Sequence, residues 1–93
     1  MARVYQAVAY GDAQLRAAVV GDRGRADLWA CRVRCFGMAR GDCLWFITSH
    51  YAQATVRIHF GAEGSAELLV YFVGTPGMAG WRREHPWAGR LGP

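Results

Sequence analysis

Apolar and polar residues alternate in short runs along most of the chain. Each run follows an alanine, and these alanines recur every 11 to 15 residues, at Ala2, Ala13, Ala26, Ala39, Ala54, Ala66 and Ala79. In five units the second, fourth and sixth residues after the alanine are mostly apolar, and Cys43, Trp45 and Ile47 join these rows once the insertion after Ala39 is allowed for. A period of two is typical of a β-strand with one buried face. The pattern therefore predicts an all-β repeat domain of about six short strands in units of about 13 residues.

The most regular unit follows Ala66 and reads Glu67-Leu68-Leu69-Val70-Tyr71-Phe72, and the unit after Ala54 aligns with it without a gap. From these rows we predict which side chains are buried: Leu28, Trp45, Ile58, Phe60, Leu68, Val70 and Phe72. Arg57 and Glu67 are predicted on the exposed face. Gln6 and Arg32 interrupt the apolar rows, so an error in the predicted register is expected first at these two positions.

The length of the unit restricts how the strands pair. Six extended residues span roughly 20 Å, which leaves about seven residues for the connection. A parallel neighbour needs a crossover of about a dozen residues or more, so consecutive strands are not expected to be parallel neighbours. Two alternatives remain. Consecutive strands pair antiparallel, or they lie apart and the sheet forms between units that are distant in sequence.

Several segments resemble one another: a small residue precedes an acidic residue and an apolar run, and in the last of these segments a glycine replaces the acidic residue. They are Ala26-Asp27-Leu28, Ala66 to Val73, the insertion Arg40-Gly41-Asp42 before Leu44-Trp45, and Ala79-Gly80-Trp81. From about Ala2 to Arg82 the chain resembles a family of small bacterial repeat proteins without an assigned function, with units of the type Val-Asp-Ser-x-x-x-Ala-Asp-Leu-x-Val-Tyr.

The resemblance implies a deeply knotted fold, with the chain tracing a seven-crossing torus knot. Strands near Val4 and Leu15 would then pair with distant units, such as those that hold Ile58 or Val70. The resemblance carries over no catalytic residues.

Length and composition predict one small domain. The chain has 93 residues, of which 53% are hydrophobic, and the alternation ends at Trp81. We therefore predict a repeat domain at residues 1–81 and a C-terminal tail at residues 82–93. No apolar run approaches the ~20 residues of a membrane span, and the start of the chain lacks a hydrophobic signal region. We expect a cytoplasmic monomer without membrane contact.

The residues that carry chemistry form no recognised motif. Cys31, Cys35 and Cys43 are odd in number and are expected to be free thiols in a reducing compartment. His50, His59 and His85 do not have the spacing of a zinc site. The glycines form no phosphate-binding loop. We therefore predict no metal, no cofactor, no catalytic residue and no enzymatic activity.

The charge is uneven along the chain. All 11 basic side chains are arginines, the net charge is +4, and residues 1–40 carry the whole excess, with seven arginines against three aspartates. Single-strand binders combine positive grooves with aromatic side chains. The candidate nucleic-acid contacts are Arg16, Arg23, Arg25, Trp29, Arg32, Arg34 and Arg40. A non-enzymatic structural or protein-interaction module is the favoured function, nucleic-acid binding through this N-terminal surface is the alternative, and the partner is left open.

Overall fold

The structure, a computed structural model, describes residues 2–7, 10–34 and 41–91. Its elements are strands and short 3₁₀ turns, which confirms the all-β prediction. The strands are β1 (Ala2–Gln6), β2 (Leu15–Val19), β3 (Leu28–Arg32), β4 (Leu44–Thr48), β5 (Val56–Phe60), β6 (Leu68–Phe72) and β7 (Gly80–Trp81). The 3₁₀ turns are Tyr10–Asp12, Arg23–Arg25, Tyr51–Gln53, Glu63–Ser65 and Pro76–Met78. Within the described ranges, no helix has the length and apolar character needed to cross a membrane.

Six of the strands form a closed ring in which every pair is parallel. The order around the ring is β1, β5, β2, β6, β3, β4 and back to β1. The short strand β7 pairs antiparallel with the first half of β3, and β4 pairs with its second half. The ring therefore leaves its strands few free edges.

Most consecutive strands are not neighbours, because the sheet forms between distant units. Gln6 lies opposite Ile58, and Val19 lies opposite Val70, which confirms the predicted long-range pairing. The prediction is wrong for β3 and β4, which are consecutive and pair in parallel at Cys31 and Arg32. The inserted residues before β4 make this connection longer than the others, as a parallel crossover requires.

The path of the chain around the ring is regular. When β7 is counted beside β3, the cyclic order is β4, β1, β5, β2, β6, β3, β7, and each strand lies two positions on from the strand before it in sequence. The chain therefore passes nearly twice around the ring while it fills seven positions. This winding agrees with the seven-crossing torus knot that the resemblance implied.

A stagger between strands explains how short connections join parallel strands. Gln6 at the end of β1 and Leu15 at the start of β2 both lie opposite Ile58 of the intervening strand β5. In the same way, Val19 and Leu28 both lie opposite Val70. In the hydrogen-bond register, each strand thus begins level with the end of the preceding strand. The connection therefore has to pass only the one strand that lies between them.

The inward side chains of the ring form three layers of six. The middle layer and the layer at the amino ends of the strands form the core. The middle layer is fully buried and contains Val4, Ala17, Ala30, Trp45, Ile58 and Val70. The layer at the amino ends of the strands contains Ala2, Leu15, Leu28, Cys43, Val56 and Leu68. The layer at the carboxyl ends contains Gln6, Val19, Arg32, Ile47, Phe60 and Phe72. The bulk of Trp45 complements the two alanines of its layer, which keeps the interior densely packed.

In four of the units, the polar residue that follows the alanine bonds to the neighbouring strand. The amide of Asp27 donates to Leu69 O at 2.8 Å, and the Asp27 carboxylate accepts from Leu69 N at 3.0 Å. The same two-way contact recurs between three further pairs: Gln14 and Arg57, Thr55 and Arg3, Glu67 and Arg16. This bonding gives a physical reason for the repeated small-then-polar motif.

The predicted face assignment is confirmed. Leu28, Trp45, Ile58, Leu68 and Val70 are fully buried, and Glu67 is exposed.

Three of the predicted burial states differ in degree. Phe60 and Phe72 are half-buried because they belong to the carboxyl-end layer. Arg57 is half-buried because its Nε donates to Asp12 O at 3.0 Å and its guanidinium lies 5.0 Å from the ring centre of Tyr51.

Both polar interruptions lie on the predicted inward face, but the predicted register is wrong by two residues at Gln6. Arg32 and Gln6 both belong to the carboxyl-end layer, where a polar side chain can reach solvent. The first unit differs from the others in one respect. Its alanine, Ala2, is itself an inward residue of the strand, so Val4 lies in the middle layer and Gln6 at the open end.

The segment after Trp81, predicted as a tail, packs against the amino end of the ring as far as Leu91. Leu91 is fully buried, its amide donates to the Asp42 carboxylate at 3.0 Å, and its carbonyl accepts from the Thr55 hydroxyl at 2.7 Å. Trp81 Nε1 donates to the same carboxylate at 2.9 Å. These bonds give the segment a fixed structure although it has no alternating pattern.

Candidate binding site at the open end of the ring

The carboxyl ends of the six ring strands surround a concave site, which we call the mouth. One residue from each strand lines it, and the cavity is about 170 Å³: Gln6, Val19, Arg32, Ile47, Phe60 and Phe72. All six lie two residues beyond a side chain of the buried middle layer. The mouth is therefore supported by the fully buried middle layer of the ring.

The walls of the mouth are apolar and partly open to solvent. Val19 is 53% exposed, which is unusual for a valine in a strand whose other inward residues are buried. Trp45 lies beneath, with its ring centre 6.3 Å from that of Phe60 and 5.6 Å from that of Phe72. Small-molecule and side-chain pockets typically combine such apolar walls with a few polar groups.

Arg32 supplies the charge of the mouth. Its guanidinium carbon lies 5.9 Å from the ring centre of Phe72, within range of a cation–π contact. The exposed Gln6 adds a neutral amide with both donor and acceptor atoms. None of the six lining side chains is acidic. The mouth is thus an apolar cavity with one cationic rim residue.

A second depression adjoins the mouth and shares Gln6 and Ile47 with it. Its remaining lining residues are Tyr5, Thr48 and Ser49, and its volume is about 410 Å³. The Thr48 hydroxyl accepts from His50 N at 3.0 Å, which fixes the turn that follows β4. The two depressions together form a short path that is apolar at one end and polar at the other.

A separate cluster of aromatic and basic side chains, the outer stack, lies on the outside of the ring. It consists of Arg23, Trp29, Tyr71 and Arg82. The Arg82 guanidinium lies 4.5 Å from the ring centre of Trp29, Trp29 lies 6.2 Å from Tyr71, and the Arg23 guanidinium lies 5.8 Å from Tyr71. Trp29 Nε1 also donates to Arg23 O at 3.2 Å.

The structure brings together only part of the predicted nucleic-acid surface. Arg23 and Trp29 lie in the outer stack. Arg25 is paired with Glu63, and the Arg16 Nε lies 3.2 Å from the Glu67 carboxylate. These two carboxylates offset part of the N-terminal positive charge.

The other predicted contacts lie elsewhere. Arg32 lines the mouth, Arg34 is exposed just beyond β3, and Arg40 lies outside the described residues. Sequence reasoning did not identify Tyr71 and Arg82 of the outer stack, or the mouth as a site. The polar interruptions at Gln6 and Arg32, in the same layer, were the available signal for the mouth.

The described thiols are buried or half-buried, and the His85 imidazole takes part in hydrogen bonds within the domain. Cys31 is buried, and burial, followed by the nearby charge of Asp42, raises the pKa of the Cys43 thiol to about 11. Cys43 is therefore protonated at neutral pH and is a poor nucleophile. His85 Nε2 donates to Glu67 O at 2.7 Å, and its Nδ1 accepts from Trp87 N at 3.1 Å. Within the described part of the chain, no three His, Cys, Asp or Glu side chains are placed to hold a metal ion.

Comparison with known families agrees with this architecture. The family model of the 7(1) septoil knot domain matches residues 1–82 of the chain. No curated protein and no solved structure matches this chain.

Proposed function

We propose that this chain, which belongs to the 7(1) septoil knot domain family, is a non-enzymatic protein-interaction module that binds its partner at the mouth. The observation that carries the proposal is the exposed apolar cavity at the carboxyl ends of six parallel strands. Exposed apolar concavities with a polar rim are typical of interaction sites.

The size and setting of the mouth suit a single apolar side chain. A cavity of about 150 Å³ is large enough to hold a benzene ring, so 170 Å³ accommodates one aromatic or branched aliphatic side chain. The buried layer beneath the mouth limits how far its walls can move. Binding to such a preformed site loses little conformational entropy, which favours recognition by a small anchor.

The proposal is tested with short fluorescein-labelled peptides that each present one Phe, Leu or Gly, added to the ¹⁵N-labelled protein. We expect the Phe and Leu peptides to shift the amide resonances of the mouth residues and the Gly peptide to leave them unchanged. Val19→Glu should abolish the shifts. The matched control is Met78→Glu, which alters another exposed apolar side chain on a connecting turn. Shifts that are absent, or that survive Val19→Glu, would contradict the proposal.

A second candidate function is nucleic-acid binding, and the outer stack is the observation that favours it. Its two guanidiniums and two aromatic rings are the groups that single-strand binders use to contact phosphates and bases. The pairing of Arg16 and Arg25 with carboxylates weakens this candidate, because it lowers the net positive charge of the surrounding surface.

This second function is tested by fluorescence anisotropy with a labelled single-stranded oligonucleotide over a series of salt concentrations. If the outer stack binds nucleic acid, affinity falls as salt rises, and Arg23→Ala combined with Arg82→Ala makes that dependence shallower. Arg32→Ala, in the mouth, is the matched control and leaves the slope unchanged. The absence of binding at low salt removes the candidate.

A further inference from the structure

The mouth combines an apolar cavity with a cation at its rim. Arg32 lies against Phe72 and has no acidic neighbour among the six residues that line the mouth. Arg16 and Arg25 on the outer face differ from Arg32, since they are paired with carboxylates. A ligand that complements the mouth therefore carries an anionic group directly beside an apolar group.

We infer that the mouth binds the free carboxyl terminus of its protein partner. The terminal residue is aromatic or branched aliphatic, its side chain enters the cavity, and its α-carboxylate contacts the Arg32 guanidinium. Guanidinium–carboxylate contacts are frequently bidentate, which adds geometric specificity to their strength. This inference rests on the proposed function, because it specifies which part of a protein partner occupies the mouth.

The chemistry of a chain end matches this site better than an internal segment does. An internal Phe or Leu presents an apolar side chain between two neutral peptide groups. An internal Asp or Glu presents a carboxylate without an apolar group of its own. Only the C-terminal residue carries an apolar side chain and a carboxylate on the same α-carbon. Its side chain can therefore enter the cavity while its carboxylate contacts the cationic residue at the rim.

The adjoining depression supports a chain end over a free small molecule. It begins at Gln6 and Ile47, which it shares with the mouth, and its far side is formed by Tyr5, Thr48 and Ser49. These side chains offer hydroxyl and amide groups to a peptide backbone. The residues that precede the terminal one would therefore lie in this depression and add contacts that a single amino acid lacks.

The experiment measures anisotropy of fluorescein-Gly-Ser-Gly-Ser-Gly-Phe with the full-length protein. The peptide is made with a free carboxylate, with a terminal amide, and in a third form with the Phe at an internal position. We expect the free acid to bind about tenfold or more tighter than the amide, which is the effect of one hydrogen bond to a charged group. Arg32→Gln should remove that difference, whereas Arg34→Gln, two residues further along, should retain it.

The remaining outcomes separate the inference from the proposed function. If acid, amide and internal Phe peptides bind the mouth equally, the chain-end inference is wrong and the protein-interaction function stands. If none of them binds, both fall. If N-acetylphenylalanine competes as tightly as the hexapeptide acid, the site binds small carboxylates and the chain-end inference is again wrong. The comparison of acid with amide uses the unaltered protein, so it does not depend on whether a variant folds.

Discussion

The two ends of the ring are built from the same alternating strands, but one end is covered and the other is open to solvent. At the amino end, Leu91 is fully buried over the layer, with Trp81 and Trp87 packed beside it, and the Asp42 carboxylate holds this cover in place. At the carboxyl end, the corresponding layer includes Gln6 and Arg32 and leaves a valine 53% exposed.

This difference separates stability from binding within one small domain. In the middle and amino-end layers every side chain is apolar or a thiol, and all but the half-buried Cys43 are shielded from solvent. In the carboxyl-end layer an arginine and a glutamine are tolerated because their polar atoms reach water. We expect substitutions near the amino end to change the free energy of unfolding and substitutions at the mouth to change binding.

The largest expected effect is that of Trp45→Ala. The substitution empties the centre of the middle layer and also removes the donor that bonds to Asp42 O at 2.6 Å. We expect a loss of about 3–5 kcal/mol of unfolding free energy. Phe72→Ala, at the half-buried mouth, should lose only about 1–2 kcal/mol, because part of its ring is already exposed.

Both variants are measured by urea denaturation at equilibrium, with incubation long enough for the forward and reverse curves to coincide. A knotted chain with long-range pairing is expected to equilibrate slowly. Equal losses for Trp45→Ala and Phe72→Ala would show that the middle layer and the mouth do not differ in their contribution to stability.

The next largest effect is expected for Asp42→Ala. Its carboxylate accepts from Trp81 Nε1, Leu91 N and Gly89 N, so the variant leaves several donors of the cover without their acceptor. We expect a loss of about 2–4 kcal/mol, together with faster hydrogen exchange at the Leu91 amide. Asp22→Ala is the control, because that carboxylate accepts from Gly24 N on an exposed turn, and it should lose about 1 kcal/mol. Unchanged protection of the Leu91 amide would contradict this account of the cover.

The strands and their inward faces were predictable from the sequence, because a period of two determines which side chains share a face. The run from Leu68 to Phe72 shows this alternation directly. The short connections then disfavoured parallel pairing of consecutive strands. Pairing between distant units was one of the two alternatives that remained, and it is the arrangement that most strands adopt in the structure.

Two features had no periodic signal. The cover at the amino end depends on turn hydrogen bonds to the side chain of Asp42, and a single carboxylate leaves no pattern in the sequence. The mouth was visible only as polar interruptions at Gln6 and Arg32. Each interruption alone resembles a register error, and their common layer becomes evident only when the first unit is shifted by two residues.

Cys43 offers a chemical test of the covered end. Burial, and secondarily the charge of Asp42, raises its pKa from 9.0 to about 11, so at pH 8 its thiolate fraction is about a hundredfold lower than that of an ordinary thiol. We expect iodoacetamide to alkylate Cys43 correspondingly slowly in the folded protein, as measured by mass spectrometry of the peptide that contains it. The Asp42→Ala variant should react faster, because it loses both the charge and the cover.

The same shift predicts the direction of a pH effect on stability. The folded protein holds the Cys43 proton more tightly than the unfolded chain does. The stabilising contribution is therefore complete below about pH 9 and declines as pH rises towards 11. Alkylation of the folded protein as fast as that of the unfolded chain would show that the amino end is not closed around this thiol.

The smallest expected effect on stability is that of Arg32→Ala. The guanidinium is exposed and its contact with Phe72 lies at the solvent edge of the mouth, so we expect the unfolding free energy to change by about 0.5 kcal/mol. Denaturation of Arg32→Ala beside Trp45→Ala compares two inward positions on neighbouring strands, one in the open layer and one in the middle layer. A loss above about 1.5 kcal/mol for Arg32→Ala would place the arginine among the residues that hold the ring together. The contrast between a stabilising closed end and a binding open end would then fail.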